Sequence, residues 1–186
     1  MATQPQTGLT YQDLQSFPED NFRRELIDGE LIVTPAPATR HQDVVLRLGA
    51  RLLAHCEEHG GKVFIAPTDV FFSDTNVVEP DVLYVRPEHL SRVEKRLVRS
   101  APDVVVEVSS PSTRRLELVR KRELYERFGV PEYWFVDLDA DRVECYRLED
   151  GRYPAPTLFA RDAILAPAAI PGFTISVDDL LGPPED

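Results

Sequence analysis

The segment from Pro102 to Gly129 reads PDVVVEVSSPSTRRLELVRKRELYERFG, and it predicts a buried strand followed at once by a helix. The valines between Asp103 and Ser109 are nearly continuous, which is typical of a strand buried on both faces. Hydroxyl side chains and a proline at 110–113 favour the entry of a helix over residues 113–128, and Gly129 is a typical helix end. This order of elements indicates an α/β protein.

Glu107 interrupts the run of valines, and a carboxylate in a buried strand needs a partner. An arginine in a structural ion pair would satisfy it. A divalent cation would also do so, because hard cations such as Mg²⁺ take oxygen ligands and are held by one or two carboxylates. The strand pattern leaves both interpretations open.

Two Pro-Asp pairs could supply a second carboxylate. Asp103 lies on the same strand as Glu107, at a distance of about 13 Å given roughly 3.3 Å per residue, so the two cannot share one ion. Asp81 opens a different strand, and neighbouring strands are only about 4.8 Å apart. Geometry therefore favours Asp81, and Asp103 is interpreted as a strand-entry residue.

Lys121 shares one face of the predicted helix with Leu118, Tyr125 and Phe128. Only three of the 21 basic residues are lysines. A lysine on an apolar face indicates a need for a compact ammonium with a tunable pKa. The alternative is a lysine whose stem covers the edge of the core while its ammonium reaches water.

The remaining pattern predicts a single domain over residues 1–186 with a mixed central sheet flanked by helices and with hairpins at both ends, an α/β (α+β mixed) fold. The core is expected over about 22–148, with C-terminal strands and a frayed tail over 149–186. The expected elements are a hairpin at 24–33 around Asp28-Gly29, a short helix at 10–17, a short helix or a loop at 87–99, a helix at 40–58, and strands at 63–72, 77–85, 132–137, 142–148, 158–165 and 173–177.

The formal net charge of -11 argues against broad, non-specific adhesion to nucleic acid or anionic lipid. Residues 114–122 are nevertheless locally basic, which is either a solvated helix face or a local binding surface. No apolar run is long enough to cross a membrane, and two distant cysteines indicate the reducing cytoplasm. His55 and His59 have the spacing of a zinc pair, but their place in the last helical turn favours a structural role.

Five blocks of the sequence, spread over about residues 22–148, resemble the Uma-type restriction endonuclease family within the PD-(D/E)xK nuclease superfamily. Each block is weak alone, and their serial order is specific. The blocks are Glu25–Leu31, Glu79–Val85, Pro102–Thr113, Lys121–Tyr125 and Gly129–Asp137.

The resemblance implies a DNA endonuclease with Mg²⁺ as cofactor, or Mn²⁺ as its substitute. Asp81 and Glu107 would hold the ion together with the Val108 carbonyl. The superfamily's usual lysine would stand at Ser109, and Lys121 on the next helix replaces it. Glu25 matches a further acidic position. A homodimer is expected, and DNA contacts are assigned to the basic stretch, at Arg114, Arg115 and Arg120.

Two other functions remain open at the level of the sequence. The fold could serve as a catalytically silent binding or assembly module, which the acidic surface favours mildly. The site could also belong to a metal-dependent hydrolase of a small phosphorylated substrate. The set of two carboxylates and one lysine favours the nuclease.

Overall fold

The computed structural model describes residues 7–18, 20, 22–110 and 114–183. Its helices are α1 Tyr11–Ser16, α2 Thr39–His59, α3 Arg122–Arg127 and α4 Val177–Leu181, with a 3₁₀ segment at Pro87–Arg92 and a π-helical segment at Leu116–Lys121. Its strands are β1 Arg23–Ile27, β2 Glu30–Thr34, β3 Lys62–Ile65, β4 Asp69–Ser73, β5 Asn76–Val78, β6 Val82–Val85, β7 Leu97–Arg99, β8 Val104–Val108, β9 Glu132–Asp137, β10 Arg142–Arg147, β11 Thr157–Ala160, β12 Ile164–Leu165 and β13 Ile175–Ser176.

A six-stranded sheet in the order β11-β10-β9-β8-β6-β3 forms the centre of the fold. Strands β8 and β9 are parallel, and the other neighbours are antiparallel. All five residues of β8 are buried, so the expectation from the valine run is confirmed. One apolar cluster packs α2 and the C-terminal elements on one face, and a second packs α3 on the other. The predicted mixed α/β architecture is confirmed.

A second, five-stranded sheet has the order β2-β1-β5-β4-β7. The predicted hairpin at Asp28-Gly29 is confirmed, with positive φ at both turn residues. The prediction of two long strands at 63–72 and 77–85 is wrong, because each divides into two strands that belong to different sheets. Pro67 and Pro80 lie at the divisions, and a proline has no N–H to donate to a sheet.

Helix α2 confirms the helical spacing that the sequence predicted over 40–58. Its buried side chains, His41, Val44, Val45, Leu48, Leu52 and His55, form one stripe against the six-stranded sheet. The stripe starts with a histidine, which brings an imidazole to the interior at the beginning of the helix. In the part of the chain that the structure describes, no helix has both the length and the apolar character needed to cross a bilayer.

The helix that carries Lys121 is helical from Arg114 but is not uniformly α. Residues Leu116–Lys121 form a π-helical segment before α3 begins, and such segments are frequent at functional sites. The predicted burial of Lys121 and Tyr125 on one face is confirmed. The expected helix entry at residues 111–113 lies outside the described residues.

The C-terminal part differs from the frayed tail that the sequence suggested. Strands β12 and β13 pair as a small antiparallel sheet, and the short helix α4 follows directly. Val177, Leu180 and Leu181 of α4 are buried in the same apolar cluster as α2. Asp178 and Asp179 lie in the first turn of this helix, whose N-cap is the Ser176 hydroxyl.

Candidate active site

Four residues predicted from the sequence lie together at the junction of the two sheets. Glu25 comes from β1 of the five-stranded sheet, and Glu107 comes from β8 of the six-stranded sheet. Asp81 immediately precedes β6, and Lys121 ends the π-helical segment. All four side chains are buried.

Lys121 joins two of the carboxylates directly. Its ammonium lies 2.9 Å from Glu107 Oε1 and 2.8 Å from Glu25 Oε1. Only 2% of the residue is exposed, so the alternative of a lysine reaching out to water is wrong. Burial opposes the charge, yet the two carboxylates hold the pKa of the Lys121 ammonium above its ordinary value.

Glu107 is the most enclosed of the carboxylates. The Tyr125 hydroxyl donates a hydrogen bond of 2.5 Å to Glu107 Oε1, the oxygen that also accepts from Lys121. Its other oxygen, Oε2, is buried and accepts no hydrogen bond from the described residues. Burial outweighs the Lys121 charge and raises the pKa of Glu107, whereas Lys121 and Arg23 outweigh burial at Glu25 and lower its pKa.

Asp81 is fixed to the next strand by the backbone. The Val108 amide donates a 2.7 Å hydrogen bond to Asp81 Oδ2, and Arg23 Nη1 donates one of the same length to Oδ1. His41 Nε2 lies 3.4 Å from Asp81 Oδ1. Burial would raise the pKa of Asp81, but contacts with His41 and Arg23 hold it well below its usual range.

Arg23 is the site residue that the sequence analysis missed. Its guanidinium contacts four carboxylates, through nitrogen–oxygen distances of 2.7 Å to Asp81, 3.5 Å to Glu25, 3.6 Å to Glu107 and 4.0 Å to Glu79. Strand periodicity could have found it, because residues two apart on a strand share a face and Arg23 stands two before Glu25. A structural arginine partner for Glu107 therefore exists alongside the lysine.

Glu79 is a second residue that the sequence analysis left without a role. Its backbone N–H donates a 2.7 Å hydrogen bond to Glu25 Oε1. Burial raises the pKa of its own carboxyl to about 7. With all four carboxylates ionised, and with Lys121 and Arg23 as their lysine and arginine partners among the described residues, the cluster has a formal excess of two negative charges.

A pocket of about 340 Å³ opens onto one side of the cluster. Its lining includes Arg23, His41, Glu79 and Asp81, but neither Glu107 nor Lys121. Arg23 contacts both Asp81 on the pocket wall and Glu107 beyond it. The Arg23 guanidinium therefore lies between the pocket and the deepest carboxylate.

The donor set suits a hard divalent cation in its chemistry. Carboxylate oxygens dominate it, two buried oxygens (Glu25 Oε2 and Glu107 Oε2) accept no hydrogen bond from the described residues, and the excess charge is negative. The geometry of the site does not match this chemistry. Among the described residues, no group of three or more histidine, cysteine, aspartate or glutamate side chains is arranged to hold a metal ion. The cations of Arg23 and Lys121 lie between the carboxylates instead.

Two neighbouring positions have other uses. Ser109, the position at which the sequence resemblance would place a lysine, accepts a 2.9 Å hydrogen bond from the Leu138 N–H and so links β8 to the end of β9. Asp103 accepts hydrogen bonds of 2.8 Å from the Arg86 N–H and from His89. The strand-entry interpretation of Asp103 thus agrees with its contacts.

The basic segment is largely neutralised by ion pairs. Arg114 makes a two-pronged contact with Asp137 at 2.5 and 2.7 Å, and Arg120 lies 2.9 Å from Glu30. Arg115 is exposed, and no carboxylate of the described residues lies within 4.0 Å of it. At the other end of the molecule, the His55 and His59 rings stack with centroids 4.4 Å apart, as a structural pair does.

The architecture has a counterpart among solved structures. A crystal structure described as "a putative nuclease belonging to DUF820" from Anabaena variabilis ATCC 29413 superposes with a TM-score of 0.78. The two chains are 20% identical, and the match covers 93% of this chain and 97% of the other. At this identity the likeness defines a shared fold.

The family follows from the sequence match. The model of the Uma2 family, described as "Putative restriction endonuclease", matches residues 10–178, and the protein belongs to that family. The match includes all of the site residues named above. None of the functionally curated proteins matches the chain.

Proposed function

We propose that the protein is a Mg²⁺-dependent nuclease that hydrolyses phosphodiester bonds of DNA. The observation that carries this proposal is the convergence of Asp81, Glu107 and Lys121, with Glu25, at the junction of the sheets. Membership of the Uma2 family and the fold shared with the Anabaena nuclease support it.

Asp81 and Glu107 would hold the ion, together with the Val108 carbonyl, and Mn²⁺ would serve as a substitute. The Val108 N–H already fixes Asp81 beside β8, which supports a role for the neighbouring carbonyl. When bound, a divalent ion lowers the pKa of a water ligand and offsets negative charge on the phosphate.

Lys121 would orient the attacking water or stabilise the negative charge that develops on the phosphoryl oxygens, and a fixed ammonium in a dry site stabilises such charge more strongly than one in water. Glu25 would position the ammonium, because its Oε1 lies 2.8 Å from the same Lys121 Nζ that contacts Glu107 Oε1 at 2.9 Å. His41 is a candidate proton acceptor, since its Nδ1 is buried with no hydrogen bond among the described residues.

The DNA backbone would approach along the exposed face of the segment that leads to Lys121. Arg115 is the arginine there with the most freedom to contact a phosphate, and Arg114 and Arg120 keep about a third of their side chains exposed beyond their ion pairs. Backbone contacts of this kind fix position and carry no sequence information. We also propose that the protein is a homodimer and that it acts in the cytoplasm. Light scattering on the purified protein tests the dimer.

The test is cleavage of plasmid DNA in Mg²⁺ or Mn²⁺ by the wild type, Asp81→Asn and Lys121→Met. We expect each variant to lose activity by about 100-fold or more, the usual effect of removing a charge-stabilising group. Asp43→Asn and Lys62→Met change exposed residues of the same types and should retain activity. Wild-type rates in both site variants would refute the assignment.

One observation favours a second function, that of a binding or assembly module without catalysis. Arg23 and Lys121 already neutralise part of the carboxylate cluster, and the carboxylates are not arranged as a metal site. Calorimetric titration with Mg²⁺ and with a short DNA duplex separates the two functions. Binding of the duplex without binding of the metal would favour the module.

A further inference from the structure

Arg23 and Lys121 are held very differently, although both are cations among the same carboxylates. Lys121 is almost fully buried and meets two oxygens at 2.8 and 2.9 Å. Arg23 keeps 22% of its side chain exposed and makes one short contact, the 2.7 Å contact with Asp81. Its other three carboxylate contacts are 3.5–4.0 Å long. Lys121 is therefore a fixed part of the interior, and Arg23 is loosely held at its edge.

The Arg23 guanidinium occupies the space that a bridging ion would need. Mg²⁺ binds oxygen at about 2.0–2.1 Å, so an ion shared by Asp81 and Glu107 must lie between those two carboxylates. Arg23 reaches Asp81 Oδ1 through Nη1 and Glu107 Oε2 through Nη2. A guanidinium and a divalent ion at one position would repel each other and compete for the same oxygens.

The hydrogen bonding of the buried atoms indicates that Arg23 is an imperfect partner. Glu107 Oε2 and Glu25 Oε2 accept no hydrogen bond from the described residues, and Arg23 Nε donates none. These atoms are inaccessible to solvent, and a buried polar atom left without a partner destabilises the folded state. A small ion with oxygen preference would satisfy the two carboxylate oxygens better than the guanidinium does.

The pocket beside the cluster offers space for the Arg23 side chain to move. The pocket of about 340 Å³ is lined by Arg23 itself and by Glu79, whose carboxylate lies 4.0 Å from Arg23 Nε. Withdrawal into this pocket would exchange the Asp81 contact for one with Glu79 and open the way to Glu107.

We propose that Arg23 is an internal counter-cation that competes with the divalent metal for Asp81 and Glu107, so that metal binding requires its guanidinium to withdraw towards Glu79. This inference rests on the proposed function in one respect, namely that a divalent ion binds these carboxylates. It adds that a residue of the same chain, Arg23, competes with the ion for Asp81 and Glu107. The metal-free protein is stabilised by Arg23 at the expense of affinity for the ion.

The test measures metal binding and stability rather than cleavage. Metal-stripped wild type and Arg23→Gln are titrated calorimetrically with Mn²⁺, and their thermal unfolding is followed with and without the ion. Removal of the competitor should tighten Mn²⁺ binding by about tenfold or more, since it abolishes the cost of displacing a charged hydrogen bond. The variant should melt lower than the wild type without metal and gain more from its addition.

Arg47→Gln is the matched control, because Arg47 pairs with the exposed Asp43 at 2.7 Å and neither residue lines the pocket. It should bind Mn²⁺ as the wild type does. If Arg23→Gln does not fold, Arg23→Lys takes its place. The shorter lysine side chain keeps the charge but does not reach both Asp81 and Glu107, so this variant should bind Mn²⁺ more tightly than the wild type.

Equal or weaker Mn²⁺ binding by the Arg23 variants, with normal binding by the wild type, would overturn the inference and leave the proposed nuclease intact. Failure of every form, including the variants without Arg23, to bind Mn²⁺ would overturn both. Tighter binding by the variants without any DNA cleavage by the wild type would support the competition and count against the nuclease.

Discussion

Replacement of Lys121 by methionine should strongly destabilise the folded protein in the absence of metal. Methionine preserves most of the volume of the side chain and removes only the ammonium. Glu107 Oε1 and Glu25 Oε1 then lose their contacts of 2.9 and 2.8 Å while both carboxylates stay buried. Removing one partner of a buried ion pair costs about 3–5 kcal/mol, because the remaining charge is uncompensated.

The magnitude is measurable by unfolding in urea with EDTA present. Trp134 is the only tryptophan and is fully buried, so its fluorescence reports the transition. For a domain of this size, a loss of about 3–5 kcal/mol corresponds to a fall in Tm of roughly 6–20 °C. Lys62→Met removes an exposed lysine from β3 and should leave stability within about 0.5 kcal/mol of the wild type.

The loss should also depend on pH, with a defined sign. Without the ammonium, burial raises the folded-state pKa of Glu107 and of Glu25 above the unfolded values, so protonation favours the folded variant. The stability that Lys121→Met loses relative to the wild type is therefore largest at pH 7–8, and it becomes smaller as the pH falls through the raised pKa values of the two carboxyls. A loss below about 1 kcal/mol at pH 7, or a deficit that does not change with pH, would refute the description of a dry, mutually compensated cluster.

Two further predictions concern the framework around the site. Asp137→Asn should cost about 1.5–3 kcal/mol at pH 7, since it breaks charged hydrogen bonds from Arg114. Burial would raise the pKa of Asp137, but the hydrogen bonds from Arg114 and from the backbone outweigh it and lower that pKa. The stability that Asp137 contributes should therefore be lost as the pH falls below about 4. A difference in Tm between wild type and Asp137→Asn that stays constant down to pH 3 would contradict this. Gly61→Ala should destabilise more than Gly129→Ala, because both have positive φ but only at Gly61 would a Cβ meet a carbonyl oxygen, that of Val85, at 2.8 Å. Equal urea midpoints of the two variants would show that the close approach is relieved without cost.

Sequence patterns predicted the features that depend on local periodicity and distance along the chain. The valine run fixed the burial of β8, and helical spacing placed Lys121 on the inner face despite the π-helical segment. A distance argument separated Asp81 from Asp103, and the two do have different partners. These inferences succeed because a strand's rise and a helix's repeat vary little between proteins.

Features that depend on the pairing of distant segments were not predicted. The division of residues 63–72 and 77–85 between two sheets follows from which strands find each other, although Pro67 and Pro80 were visible signals. Arg23 has the sequence context of an ordinary surface cation at the start of a strand. Its position beside four carboxylates arises only when β1 docks against the six-stranded sheet.

The location of the site at the junction of two sheets has a consequence for how the protein is made. Glu25 is synthesised early, within the first hairpin, whereas Lys121 follows after all five strands of one sheet and three of the six strands of the other. Until Lys121 has been synthesised, the nascent chain carries Glu25 and Glu107 without the ammonium that contacts both of them in the folded protein. The charge-compensated cluster can therefore form only after Lys121 has been synthesised and β1 has docked against the six-stranded sheet.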